Sequence, residues 1–320
     1  MKILIADNFP QSHQHALGEA GHRVTFDPSL EGEALGRALG DHEILVVRST
    51  KVDAATMDAG TALRLVIRAG AGTNTIDKAH AAANGVRVCN VPGANAIAVA
   101  ELVIGLIIAI DRNIADNITD LRNKRWNKRL YGKARGLYGM TLGILGLGAI
   151  GLAVARRAHA FGMRVCTLAR DRRSEEVRKG IAAWEIDQLD SLDELIGRSD
   201  IISLHLPLTE KTDRLVDDEF LDKMKDGAIL INTARGELLD EAALIRAMDG
   251  KGIRAGLDVY QNEPASGEGV FESALANHPN VRGTHHIGAS TEQAQVAVAD
   301  GVLRVIESLE RDRLLYCVNA

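Results

Sequence analysis

The segment Thr141-Leu-Gly-Ile-Leu-Gly146-Leu-Gly148-Ala-Ile-Gly151 sets a GxGxxG turn directly behind a run that reads as a strand and directly ahead of Ala153 to Phe161, which reads as a helix. Few folds accept that order. The first glycine permits a tight turn, the second lets the backbone approach a pyrophosphate, and the third allows the helix to press on the strand. The helix N-terminus then faces the phosphates with unsatisfied N–H groups and the favourable end of its dipole. The same glycines could serve packing alone, but a second strand follows at the right distance, and dinucleotide binding is the reading adopted.

The rest of the chain supplies the setting. Short β-branched runs alternate with Ala-rich, helix-periodic segments, the pattern of an α/β protein with parallel sheets. One series of strands is expected at Lys2 to Ala6, Arg23 to Phe26, Ile44 to Val47, Leu65 to Ile67 and Arg87 to Asn90. A second is expected at Thr141 to Leu145, Arg164 to Leu168, Ile201 to Leu204, Ala228 to Asn232 and Arg254 to Leu257. With 320 residues, two domains of ordinary size are expected. Glu292 to Arg311 has helical periodicity and no strand of its own, so it is expected to pack back on the first domain. The fold class is therefore α/β with two open parallel-sheet domains. Residues 1–97 and 287–320 form a flavodoxin-like domain into which a Rossmann domain, 98–286, is inserted.

Composition excludes several classes. The chain is 46% hydrophobic with a formal charge of -5, which suits a globular protein and gives no general attraction for nucleic acid. Its three cysteines, Cys89, Cys166 and Cys317, are far apart and odd in number, so neither a disulfide framework nor a metal site is expected. The first strand is too short for a secretion signal, and the apolar run Ala96 to Ile110 carries Glu101 and falls short of a membrane span. A reducing, cytoplasmic setting is expected.

The end of the second Rossmann strand bears on cofactor choice. An NAD site usually places Asp or Glu there for the ribose 2′-hydroxyl. Here Leu168 is followed by Ala169, Arg170, Asp171, Arg172 and Arg173. Arg170 suits a 2′-phosphate, with Arg172 or Arg173 adding charge, so NADP is favoured over NAD. Asp171 keeps NAD open if the strand runs two residues further.

Oxidising an alcohol by hydride transfer needs a base, a group that tunes it and a cation for the substrate carboxylate. Candidates follow successive strands: Arg235 in Asn232-Thr-Ala-Arg235-Gly, Glu263 in Gly256-Leu-Asp258-Val-Tyr-Gln-Asn-Glu263-Pro, and the histidines of Thr284-His285-His286-Ile-Gly288. Histidine carries protons near neutral pH, and a carboxylate beside it fixes its ring.

The ordered set GLGAIG, LHLPLT, INTARG, GLDVYQNEP and HHIGAST resembles the D-isomer-specific 2-hydroxyacid dehydrogenase family over essentially the whole chain. The resemblance implies Arg235, Glu263 and His286 as the catalytic set. His286 is preferred to His285 because it directly precedes Ile-Gly; the family usually has proline at 285. The resemblance also implies cofactor contacts at Gly146, Gly148, Ala149, Ile150, Gly151, Leu206, Thr233, Ala234, Asp258 and Gly288. In the first domain, Val47-Arg48-Ser49-Thr50-Lys51, Arg68-Ala-Gly70-Ala71-Gly72 and Asn90-Val-Pro-Gly-Ala-Asn95 resemble the 3-phosphoglycerate dehydrogenase branch. That resemblance implies substrate contacts at Arg48, Ser49, Gly70, Ala71 and Asn95, and a place in serine biosynthesis. Members of the branch often carry a regulatory domain after the core; with the sequence ending at Val318-Asn-Ala, none is expected here, nor inhibition by L-serine.

Arg122 to Arg135 is crowded with Lys and Arg and interleaved with Trp126 and Tyr131. Alone it would suggest nucleic acid, but the acidic total argues against that. The family resemblance implies instead a homodimerisation arm near 98–136, with a solvated loop as the alternative. The leading expectation is an NAD(P)-dependent dehydrogenase of a small D-2-hydroxy acid, with 3-phosphoglycerate ahead of glyoxylate or hydroxypyruvate. A nucleotide-sensing, corepressor-like module is the competing class, and it has no use for a proton carrier paired with a carboxylate.

Overall fold

Runs such as Ile44-Leu-Val-Val and Ile229-Leu-Ile-Asn are apolar at every position or nearly so, which suits strands covered on both faces. The computed structural model describes residues 1–264, 268–311 and 313–319. Its strands are β1 (Lys2–Ile5), β2 (Arg23–Phe26), β3 (Ile44–Val47), β4 (Leu65–Arg68), β5 (Arg87–Asn90), β6 (Thr141–Leu145), β7 (Arg164–Leu168), β8 (Asp187–Leu189), β9 (Ile201–Leu204), β10 (Ile229–Asn232), β11 (Arg254–Leu257) and β12 (Val281–Gly283). The chain divides into two compact units, Met1–Asn95 with Ala289–Ala320, and Ala96–Gly288.

The first unit holds a parallel sheet in the order β2-β1-β3-β4-β5, the flavodoxin-like order. Its strand residues alternate between two cores. Ile3, Ile5, Ile44, Val46, Leu65 and Ile67 pack with Ala299, Val302, Val305 and Ile306 of the helix Glu292–Glu310. Leu4, Leu45, Val47, Val66 and Val88 face the other way, onto Leu35, Leu39 and Met57. The C-terminal helix thus covers one face of this sheet, and Thr291 starts it by accepting the Ala294 N–H.

The second unit holds the order β12-β11-β10-β9-β6-β7-β8, also parallel throughout. Counted from β6 this is the Rossmann order 3-2-1-4-5-6 with one further strand. One face packs Leu142, Ile144, Ile201 and Ile231 against Val103, Ile107 and Ile110 of the helix Ala96–Asp111 and Val154, Ala155 and Ala158 of the helix Ala149–Ala160. The other packs Leu145, Ile202, Leu204, Leu230 and Leu257 against Leu195, Phe220, Leu244 and Met248. No helix among the described residues is long and apolar enough to cross a membrane.

Apart from strand ends that shift by one residue, the structure adds to the sequence expectation in the following ways. The glycine-turn helix starts at Ala149, not Ala153, because Ala149-Ile-Gly151 is its first turn and the glycines mask its periodicity. Strands β8 and β12 were not anticipated. Asp187-Gln-Leu and Val281-Arg-Gly close the two edges of the sheet, where one neighbour suffices and polar residues are tolerated. The basic stretch contains a short helix, Lys128–Tyr131, started by Asn127.

Candidate active site and cofactor pocket

The sheet order of the second unit reverses between β6 and β9, where open α/β sheets bind ligands. Gly146 ends β6 at φ +101°, and a Cβ on it would lie 2.4 Å from the backbone oxygen of His205, just past β9. Only glycine allows that contact. A Cβ on Gly151 would lie 2.2 Å from Gly146 O, whereas one on Gly148 would meet nothing within 4 Å. The middle glycine therefore opens onto free space while its neighbours bring turn, helix and strand together. The helix Ala149–Ala160 begins with no side-chain cap at Gly148, unlike helices started by Ser174, Ser191 and Asp240. Its first N–H groups remain available to an anion.

A cavity of about 250 Å³ adjoins this turn, lined by Gly146, Leu147, Leu168, Leu192, Leu206 and Leu215 and rimmed by Arg170, Arg173 and Lys211. β7 ends at Leu168, so Ala169 is the first residue past the strand. Arg173 folds back to donate to Leu168 O, and its Nε is buried with no partner among the described residues. Burial, and then the like charge of Arg170, push the Arg173 guanidinium below its ordinary value, a cost that a bound anion relieves. Thr233 Oγ1, after β10, is another buried polar atom without a partner among the described residues. These features fit a nicotinamide dinucleotide. Leu206 lines the cavity, and Ala234 and Gly288 stand on the loops after β10 and β12.

Arg235, Glu263 and His286 follow β10, β11 and β12 in turn. The buried Asn232 closes the first loop by donating to Arg235 O at 2.7 Å and accepting Ala234 N–H at 3.0 Å. A Cβ on Gly236 would come within 2.1 Å of the Tyr260 backbone, so the Arg235 and Glu263 loops abut. Glu263 Oε1 accepts Tyr260 N–H at 2.8 Å, and Oε2 meets His286 Nδ1 at 2.7 Å. Burial raises the Glu263 carboxyl, but the hydrogen bonds from His286 and Tyr260, aided by the charges of His286 and Arg235, outweigh it and hold the group below its ordinary value.

His286 adopts φ +52°, in the left-handed region. Asp258 imposes it. Asp258 O accepts the His286 N–H, Oδ1 accepts the Thr284 hydroxyl and the Ile287 N–H, and Oδ2 accepts the Gly288 N–H, all at 2.6 to 2.8 Å. The carboxylate of Asp258, expected at the cofactor, is thus engaged in shaping the histidine loop. His285 is exposed, and it is His286 that meets Glu263.

The first unit's order reverses between β1 and β3. There Asp7 Oδ2 accepts the consecutive N–H groups of Arg48, Ser49 and Thr50 at 2.6, 3.0 and 3.0 Å. Arg48 Nη2 donates to Ser290 Oγ at 3.2 Å and to Ala289 O at 3.5 Å. Gly70 and Ala71 follow β4, and Asn90 at the end of β5 ties them down: its Nδ2 donates to Ala71 O at 2.5 Å, and Val91 N–H to Gly70 O at 2.9 Å. Asn95 Oδ1 is buried with no partner among the described residues. All five expected substrate residues therefore lie beyond the carboxyl ends of this sheet's strands. Sequence reasoning assigned no role to Asp7, Asn90 or Asn232; each is a polar residue at a strand end, a position legible in the sequence, but the partners they hold are set by the fold.

A Rossmann unit carrying a carboxylate–histidine pair beside an arginine defines a nicotinamide-dependent oxidoreductase of the hydroxy-acid type. The family model for the D-isomer specific 2-hydroxyacid dehydrogenase, NAD binding domain, matches residues 104–288, and the chain belongs to that family. It is 43% identical over 268 residues to the hydroxypyruvate reductase of Thermotoga maritima, covering 83% of this chain and 84% of that one. It is 38% identical over 317 residues to the D-3-phosphoglycerate dehydrogenase of Methanocaldococcus jannaschii, covering 98% of this chain but only 58% of that longer one. The NAD⁺-bound 3-phosphoglycerate dehydrogenase of Entamoeba histolytica shares the fold with a TM-score of 0.81 at 28% identity, covering 100% of this chain and 99% of that one.

Proposed function

We propose that the chain interconverts a small D-2-hydroxy acid and its 2-keto acid, with 3-phosphoglycerate as preferred substrate and NADP preferred to NAD. The hydrogen-bonded pair of Glu263 and His286 beside Arg235 carries this reading. A bound nicotinamide supplies hydride acceptance or donation. Gly146, Gly148, Ala149, Ile150 and Gly151 would hold its pyrophosphate, and the unpartnered Thr233 hydroxyl would bond to it. Because Nδ1 of His286 is engaged by Glu263, Nε2 is the atom that takes the substrate's hydroxyl proton in oxidation and returns it in reduction. Glu263 stabilises the imidazolium so formed, and Arg235 holds the substrate carboxylate.

Arg48, held on Ser290 and Ala289, supports a second anion on the substrate, as does the loop fastened by Asp7. Hydroxypyruvate is the second reading, favoured by the Thermotoga relative, which this chain matches over most of both lengths. Assaying 2-hydroxy and 2-keto acids with both cofactors separates the two. If the phosphorylated acid is preferred, Arg48→Ala raises its KM far more than that of an unphosphorylated acid; equal effects on both would overturn the phosphate assignment.

Glu263→Gln leaves the shape but removes the charge. Turnover in the oxidation direction then falls, since the positive imidazolium formed when His286 takes the substrate's proton has lost the carboxylate partner at 2.7 Å. Stability responds as well. Glu263 lies below its ordinary value of 4.5 when folded, so its contribution is complete above that pH and fades as pH falls through the lower folded value. Acid unfolding followed by circular dichroism is correspondingly shallower in the variant.

The same reading makes the protein a cytoplasmic homodimer joined by the helix Ala96–Asp111 and the arm after it. Leu121, Trp126 and Tyr138 support this, being 56%, 82% and 90% exposed. Light scattering is expected to give twice the chain mass, and a monomer at micromolar concentration would count against it.

A further inference from the structure

The segment after the C-terminal helix returns to the first unit's sheet and pairs antiparallel with its edge strand β5, through an isolated bridge between Cys89 and Cys317. Val318 N–H donates to Val88 O at 2.8 Å and Asn90 N–H to Tyr316 O at 3.3 Å. These bonds flank the two cysteines, which therefore form a non-hydrogen-bonded antiparallel pair. Such pairs have Cα atoms about 4.5 Å apart and side chains on the same face of the sheet, within the roughly 4.4 to 6.8 Å that a disulfide spans. Both side chains belong to one core cluster, with Cys89 fully buried and Cys317 partly exposed. Asn319 locks the register, accepting Val88 N–H at 2.7 Å and donating to Val86 O at 2.8 Å.

We infer that Cys89 and Cys317 are a site of reversible disulfide formation, driven by a hydroperoxide and stapling the two sequence-separated pieces of the first unit. In the structure both are free thiols. Burial, and then the neighbouring Cys317, push the Cys89 thiol up to about 12, so Cys317, the more accessible, reacts first. The Cys317 thiolate attacks one peroxide oxygen, the O–O bond breaks, and hydroxide leaves as water after taking the thiol proton. The sulfur of Cys89 then attacks the Cys317 sulfenic acid; the S–O bond breaks and hydroxide leaves with the Cys89 proton as a second water. Two thiols and one hydroperoxide group thus give one disulfide and, with hydrogen peroxide, two waters. The closed loop runs from 89 to 317 and contains the whole second unit.

The full chain is treated with hydrogen peroxide, quenched with an alkylating agent and mapped by mass spectrometry without reduction. The expected result is an intramolecular link between Cys89 and Cys317, with Cys166, fully buried in the second unit, alkylated only after denaturation. The unfolding midpoint rises by about 5 °C on oxidation and returns with dithiothreitol. Cys317→Ser, a change at a partly exposed position, keeps Cys89 a thiol under the same treatment. Sulfenic or sulfinic acid at Cys317 with Cys89 still a thiol, a link only between chains, or no reaction would overturn the assignment. A link that leaves the midpoint unchanged would overturn the stapling role.

Discussion

Replacing His286 with alanine lowers kcat by about 10² to 10⁴-fold while the dissociation constant of the dinucleotide stays within about twofold. The asymmetry follows from where the side chain stands. Its Nδ1 is bound to Glu263, and the glycine turn that would hold the pyrophosphate belongs to a different loop, after β6. Removing the imidazole takes away the proposed proton carrier and leaves Gly146, Gly148 and Gly151 in place. The backbone is insensitive too, because the left-handed turn at 286 is held by main-chain and Asp258 hydrogen bonds that alanine keeps. Stopped-flow turnover and fluorescence titration of the reduced cofactor measure the two quantities separately. Turnover within threefold of the parent would remove His286 from the role of base.

Arg170→Ala is expected to lower affinity for NADP by about one to two orders of magnitude and to leave NAD nearly unchanged. A charge-assisted hydrogen bond contributes about 1.5 to 3 kcal/mol, and each 1.4 kcal/mol is roughly tenfold in dissociation constant. β7 stops at Leu168, Asp171 is exposed and does not line the cavity, and no carboxylate pairs with Arg170 among the described residues. Arg173 and Lys211 on the same rim make the variant's loss partial. Titrating both cofactors against the parent and variant decides the matter. A parent that prefers NAD, and weakens toward it in Asp171→Ala, would show that the acid at 171 reaches the ribose after all.

Much of the architecture was legible because its signals are local. A GxGxxG turn needs glycine where backbone meets backbone, as Gly146 meets His205 and Gly151 meets Gly146. Central strands such as β3, β9 and β10 announce themselves as apolar runs because both of their faces are covered. Strands β8 and β12 did not, since an edge strand needs neither a second neighbour nor apolar residues throughout.

The order of chemical groups along the chain was likewise readable: arginine and glutamate after two successive strands, with the histidine pair further on. Their meeting was not. That His286 rather than His285 touches Glu263 depends on a left-handed turn held by Asp258, and the approach of Arg235 depends on Gly236 lying against Tyr260. The linear order of residues determined most strand and helix types and the glycine turn, because those rest on sterics and burial within a few neighbours. Only the tertiary structure decided that Asp258 serves the histidine loop, that Asp7 gathers three N–H groups at a switch point and that Cys89 faces Cys317, because each joins residues brought together by sheet order across distances in sequence that no local preference encodes.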